Sequence, residues 1–140
     1  LSGITANESA EICRLLMGIK NPSKDVVNAV DFAVLWFRKV KIDSLRIERI
    51  SLPEDKIINH EYPYDNVVVV DPSAKPIWAR YYEISDNTPF MCTRSGEKVW
   101  KLEDVNAERR TGYAWYGYWP ESVLDDYDAW KASVSKIISE

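Results

Sequence analysis

The chain has 140 residues, 46% of them hydrophobic and 29% charged, with a net charge of -4. That length is one ordinary domain, and the mix is that of a soluble globular chain, not a disordered one. The acidic balance argues against nonspecific binding of nucleic acid. No apolar run approaches the ~20 residues needed to cross a bilayer, which excludes a membrane span.

Charge is unevenly spread. Residues 75–112 hold seven basic and six acidic side chains and form the only positive stretch, so an anionic ligand is expected there first. Cys13 and Cys92 suit neither a disulfide framework nor a metal-binding spacing. The single histidine, His60 in "IINHEYPYDN", reads as a solvated loop residue, which leaves little for a Ser-His-Asp or zinc mechanism. The opening "LSGITANESAEICRLL" has no initiator Met, basic n-region or apolar h-region. Any signal peptide would lie outside it, and the chain is expected to be a fragment.

In chain order, "TANESAEICRLLMGIK" sets Thr5 three residues before Glu8, a capping-box spacing, and places Ile12, Leu15, Leu16 and Ile19 on one helical stripe. Arg14 falls nearly opposite that stripe. The next segment, "NPSKDVVNAVDFAVLWFRKVKI", has Ser23 as N-cap and an apolar surface around most of its circumference, as in a helix packed on more than one side. "SLRIERISL" alternates as a half-buried strand, and "NVVVVDPSAKPIWARYYEI" continues in the same character. With turns at "SDNTPFM" and "RSGEKV", residues 44–100 read as a small antiparallel sheet. "KLEDVNAERRTG" returns to helix with Leu102 and Val105 inward and Gly112 as its stop. A last helix follows Pro120, with Val123, Tyr127, Trp130, Val134 and Ile137 on one face. Residues 1–140 are read as a single unit, helices around a small sheet.

The stretch "ERRTGYAWYGYW" sets Arg109 and Arg110 against Tyr113, Trp115, Tyr116, Tyr118 and Trp119. Arginine donates two parallel hydrogen bonds to a carboxylate and keeps its charge, while aromatic rings cover carbon-hydrogen faces. Together they describe a surface for an acidic sugar. The bland alternative is that the arginines complement the helix dipole by ~0.3–1 kcal/mol and the rings are core. Arg14 could likewise pair only with Glu11, for ~0.3 kcal/mol, and Arg94 in "MCTRSGEK" could be an ordinary solvated turn residue.

Three ordered blocks carry a family resemblance: "SGITANESAEICRLLMGIKNPSKDVVNAVDFAVLWF", "VVVVDPSAKPIWARYYEISDNTPFMCTRSG" and "ERRTGYAWYGYW". The chain resembles the carboxyl-terminal part of a family 10 polysaccharide lyase, a pectate lyase. The resemblance implies a mainly α fold, part of an α/α toroid with a small antiparallel β-sheet, in a catalytic domain longer than this chain. It implies a secreted or periplasmic enzyme that cleaves polygalacturonate by β-elimination with calcium. By resemblance Arg14 is the candidate base, Arg94, Arg109 and Arg110 are carboxylate clamps, and Tyr113 or Trp115 borders the sugar. Clustered cations would favour the neutral arginine that a base requires, so the reaction is expected to run best at alkaline pH. Most calcium ligands are expected upstream of these residues, so no metal-binding residue is assigned here. The fragment could be inert alone, and an exposed helix face could drive self-association or docking to a missing half.

Two other classes compete. One is a noncatalytic module binding an acidic polysaccharide; the other is a helical interaction domain in which these side chains are purely structural.

Overall fold

The computed structural model describes residues 1–57 and 62–139; His60 lies outside the described residues. Its elements in order are β1 (Ile4–Thr5), α1 (Ala6–Met17), α2 (Lys24–Val40), β2 (Leu45–Ser51), α3 (Glu54–Ile57) and β3 (Tyr64–Val70). There follow β4 (Trp78–Ala79), β5 (Tyr81–Tyr82), β6 (Pro89–Cys92), β7 (Lys98–Val99), a 3-10 turn (Leu102–Asp104), α4 (Ala107–Gly112), β8 (Tyr116–Gly117) and α5 (Glu121–Ser139).

Helix α2 is started by Ser23, whose hydroxyl accepts from the Val26 N–H at 3.3 Å, one of the donors left unpaired at a helix start. Val27, Val30, Val34 and Phe37 recur every three or four residues and are buried. Val30, Val34 and Phe37 pack against Ala10 and Cys13 of α1 and Val123 of α5. Each fully buried side chain of this size contributes ~1.5–3 kcal/mol. A second cluster joins Ala6 and Val40 to Trp78, Ala79 and Tyr82, and a third joins Met91, Leu102, Val105 and Trp115.

One helix face differs from the sequence expectation. On α1 the buried residues are Ala6, Ala10 and Cys13; of the expected stripe, Ile12, Leu15 and, just beyond the helix, Ile19 are exposed, and only Leu16 is half-buried against the core. Small side chains let α1 approach α2 closely, and that close approach outweighed the larger apolar stripe. On α2, Phe32 and Leu35 are exposed, but the helix packs on more than one side as expected, against α1 and α5 and, through Trp36 and Val40, against the cluster of Trp78 and Tyr82.

The fold class also needs correction. Among the described residues the strands form three separate antiparallel sheets: β1-β5-β6-β7, β2-β3 and β4-β8. An α/α toroid needs successive helix pairs, and here residues 41–120 place these sheets and only short helical pieces between α2 and α5. The architecture is mixed, three longer helices against three small sheets. The expected single aromatic strand from Trp78 is split: Trp78–Ala79 pairs with β8 and Tyr81–Tyr82 pairs with β1 and β6, leaving Arg80 at the crossing. The expected helix through residues 101–112 is broken as well. Val105 is extended and lies between the 3-10 turn and α4, which buries Val105 in the third cluster.

Candidate functional site

Arg109 and Arg110 are consecutive on α4, so their side chains leave the helix about 100° apart and meet different partners. Arg110 reaches β3. Its Nε and Nη2 donate to Asp65 Oδ1 and Oδ2, both at 2.7 Å, and its Nη1 donates to the Val105 carbonyl at 2.7 Å. The Asp65 and Arg110 side chains are 13% and 14% exposed. The bond to the Asp65 carboxylate raises the Arg110 pKa in spite of burial. Its guanidinium fork is therefore occupied by a protein carboxylate.

Arg109 takes the other direction. Its guanidinium carbon lies 5.6 Å from the Trp115 ring centroid and 5.9 Å from that of Tyr113. The buried Arg109 Nε has no hydrogen-bond partner among the described residues. Trp115 is held by donation of its indole N–H to the Arg109 carbonyl at 3.0 Å. Arg109, Tyr113 and Trp115 line one cavity of about 180 Å³ with Tyr81, Phe90 and Cys92.

Arg94 sits in the β6–β7 turn, which Gly96 closes with a φ of 89° that an L side chain rarely adopts. The Arg94 backbone N–H donates to Asn106 Oδ1 at 2.8 Å, which ties this turn to the start of α4. Its Nη1 lies 3.1 Å from Glu108 Oε1, and the side chain is largely exposed.

Arg14 lies elsewhere. Its Nη1 donates to the Trp119 carbonyl at 2.9 Å and to Ser122 Oγ at 3.1 Å, in an open cleft lined also by Tyr118, Glu121 and Asp125. Arg94, Arg109 and Arg110 do not line that cleft. Gly117 leaves room for the Trp119 ring, because a Cβ there would come within 2.6 Å of the indole.

The residue that sequence reasoning passed over is Arg80. At the crossing between β4 and β5, its N–H donates to the Trp115 carbonyl at 2.8 Å and its carbonyl accepts from the Ala6 N–H at 3.0 Å. Its guanidinium carbon lies 4.5 Å from the Tyr113 centroid and 5.8 Å from that of Trp119. Its Nη2 lies 3.3 Å from Glu8 Oε1, and its buried Nε is unpartnered among the described residues. Burial opposes the charge, but Tyr113 and Glu8 outweigh it and raise the Arg80 pKa. Glu8 is held below the usual carboxylate range, first by the Thr5 hydroxyl and also by Arg80. Thr5 thus serves Glu8 and makes no side-chain cap bond to α1. Period-two spacing in "WARYY" was the available signal, since it places Arg80 between the buried Trp78 and Tyr82.

Tyr113 hydrogen-bonds Tyr81 through their hydroxyls at 2.5 Å, and burial first, then Tyr81, pushes its pKa up to about 12. Trp119 links the two parts of the site, with its carbonyl on Arg14 and its ring beside Arg80. Two guanidinium groups within 6 Å of the Tyr113 ring set cations beside an aromatic face, which suits an anion that also presents apolar faces.

The donor set for calcium is a different matter. Among the described residues no three of His, Cys, Asp or Glu converge. Glu8, Asp65 and Asp71 are each paired with an arginine, and Asp86 accepts from the Thr88 N–H. These residues do not fit a calcium site, which needs six to eight oxygen ligands.

The sequence profile of the pectic acid lyase family matches residues 1–124. Among solved structures, the fold is similar to a family 10 polysaccharide lyase from Cellvibrio cellulosa, with a TM-score of 0.70 and 23% identity. A mutant of that enzyme in complex with trigalacturonic acid is matched with a TM-score of 0.71 and 23% identity. The matches cover 92% of this chain but only 36% and 37% of those chains, respectively. No curated protein matches significantly. With most of its length matched by one family profile, the chain belongs to the pectic acid lyase family.

Proposed function

We propose that this chain is the part of a pectate lyase that grips galacturonate carboxylates and presents the base for β-elimination. The family profile over residues 1–124 carries this reading. In the reaction the base removes the proton at C5, the electron pair forms the C4–C5 double bond, and the C4–oxygen bond breaks. The departing oxygen takes a proton from solvent, and no water is consumed.

Arg109 and Arg80 are the clamps best placed to receive a uronate carboxylate, with Tyr113 and Trp115 against the sugar face. Arg94 supplies an exposed cation at the edge, and Arg110 holds α4 against β3 from behind. Arg14 is the proposed base; its neighbours in the structure are a carbonyl and a hydroxyl, and the cations expected to favour its neutral form are not among them. Calcium would neutralise the carboxylate at C6 as charge develops there, held by ligands outside the described residues. Secretion, or export to the periplasm, belongs to the same proposal, because the polymer is extracellular.

The test is ultraviolet absorbance of unsaturated uronate ends, followed on polygalacturonate at alkaline pH with calcium or a chelator. This chain and a version extended upstream to the length of the solved relatives should be compared. Calcium-dependent product that Arg14→Ala abolishes is expected; full turnover by a folded Arg14→Ala variant would reject the base.

A second reading is a noncatalytic acidic-polysaccharide module, supported by the Arg80 and Arg109 guanidinium groups, both within 6 Å of the Tyr113 ring centroid. It predicts binding to polygalacturonate that survives a chelator and yields no unsaturated product.

A further inference from the structure

A second cavity, of about 570 Å³, lies between the β2–β3 ribbon and the 3-10 turn. Leu45 and Val68 of the ribbon border it, with Trp100 and Lys101 across from them. Its volume falls in the range of small-ligand sites, ~300–1,000 Å³. Trp100 is 58% exposed. Among the described residues the indoles of Trp36, Trp78 and Trp115 donate to acceptors inside the fold, while those of Trp100, Trp119 and Trp130 do not; of these three, Trp100 is the one that borders this cavity. A single exposed apolar residue needs no explanation by itself. This one stands beside a cavity and next to a cation, and that combination is what an acidic sugar requires.

The charge pattern narrows the ligand. Arg110 and Asp65 at the back neutralise each other. Among the described residues Lys101 pairs only with Glu103, at 3.9 Å with both side chains more than 70% exposed, so its ammonium is open to a better carboxylate. The adjoining cavity shares Asn66, Leu102, Arg110 and Tyr116 with this one and extends to Tyr113 and Trp115. A polymer lying along the Arg109 cluster would have this cavity as its next concave stop.

We propose that the Trp100 cavity is a distal subsite for one hexuronate residue, with the sugar face on the Trp100 indole and its carboxylate on Lys101. The proposal rests on the acidic-polysaccharide reading above. The subsite takes no part in bond cleavage. It lengthens the stretch of polymer the protein holds.

Calorimetric titration of the full chain with size-defined oligogalacturonides tests it, with neutral oligogalactose as control. Trp100→Ala and Lys101→Met should each weaken binding of the longest oligomers by about three- to tenfold and leave the dimer unchanged, and Trp100→Phe should restore most of the loss. Thermal unfolding of each variant verifies the fold. Unchanged binding of long oligomers by folded Trp100→Ala, with loss in Arg109→Ala, would overturn the subsite and keep the broader reading. Absence of uronide binding by the unsubstituted chain would overturn both, and equal binding of the neutral oligomer would overturn the role of Lys101.

Discussion

At the scale of single residues, the two adjacent arginines of α4 divide their work because a helix turns by about 100° per residue. Asp65→Asn would leave the Arg110 guanidinium buried without its counter-charge, so we expect a loss of roughly 3–5 kcal/mol in urea unfolding. Replacing both partners by apolar residues of similar volume should cost much less; equal losses would show that the pair acts through packing. Arg109→Ala removes no salt bridge among the described residues. It should leave stability within about 1 kcal/mol while lowering affinity for polygalacturonate in low salt, a difference that shrinks as salt is added. Affinity that follows stability in both variants would argue that Arg109 is only structural. Both arginines were legible as candidates in "ERRTGYAWYGYW". Which one is free was not, because Asp65 lies 45 positions away and nothing local announces the pairing.

Among elements, the junction of α2 with α5 is polar as well as apolar. Asp31 accepts from the Tyr127 hydroxyl at 2.6 Å and from Lys131, and Arg38 lies 5.4 Å from the Tyr127 ring centroid. Burial raises the Asp31 pKa, but the bonds from Lys131 and Tyr127 overcome it and leave the carboxyl below its ordinary value of 3.8. A depressed folded pKa means that this stabilisation is complete above the unfolded value and is lost as pH falls through the folded one. Stability should therefore drop below about pH 4 in the parent and less steeply in Asp31→Asn, as read from denaturant midpoints across an acid series. Superimposable acid limbs would remove Asp31 from the account. The α5 helix itself was plain from its spacing of Val123, Tyr127, Trp130 and Val134, whereas its partner on α2 was not.

For the molecule as a whole, the exposed side chains of Ile12, Leu15, Ile19, Phe32 and Leu35 leave the helical layer with apolar surface facing outward. We propose that this surface associates with another chain or with an upstream segment. Sedimentation at rising concentration should show association of the parent that Leu15→Lys with Phe32→Lys suppresses. A strictly monomeric parent would exclude self-association.

The amino-acid sequence by itself determined the helix positions of α1, α2 and α5, the extended segments of β2 and β3, the turns at Asn87 and Gly96, and membership of the pectic acid lyase family. These depend on spacing of three to four or of two, on residues such as Ser23 and Gly96 that suit one backbone position, and on ordered blocks of sequence. Tertiary structure alone decided which face of α1 is buried, the division of the aromatic strand at Arg80, the commitment of Arg110 to Asp65, and the placing of Arg14 in a cleft that Arg94, Arg109 and Arg110 do not line. Each of those outcomes depends on contacts between residues far apart in the chain, where close packing and charge pairing override local pattern.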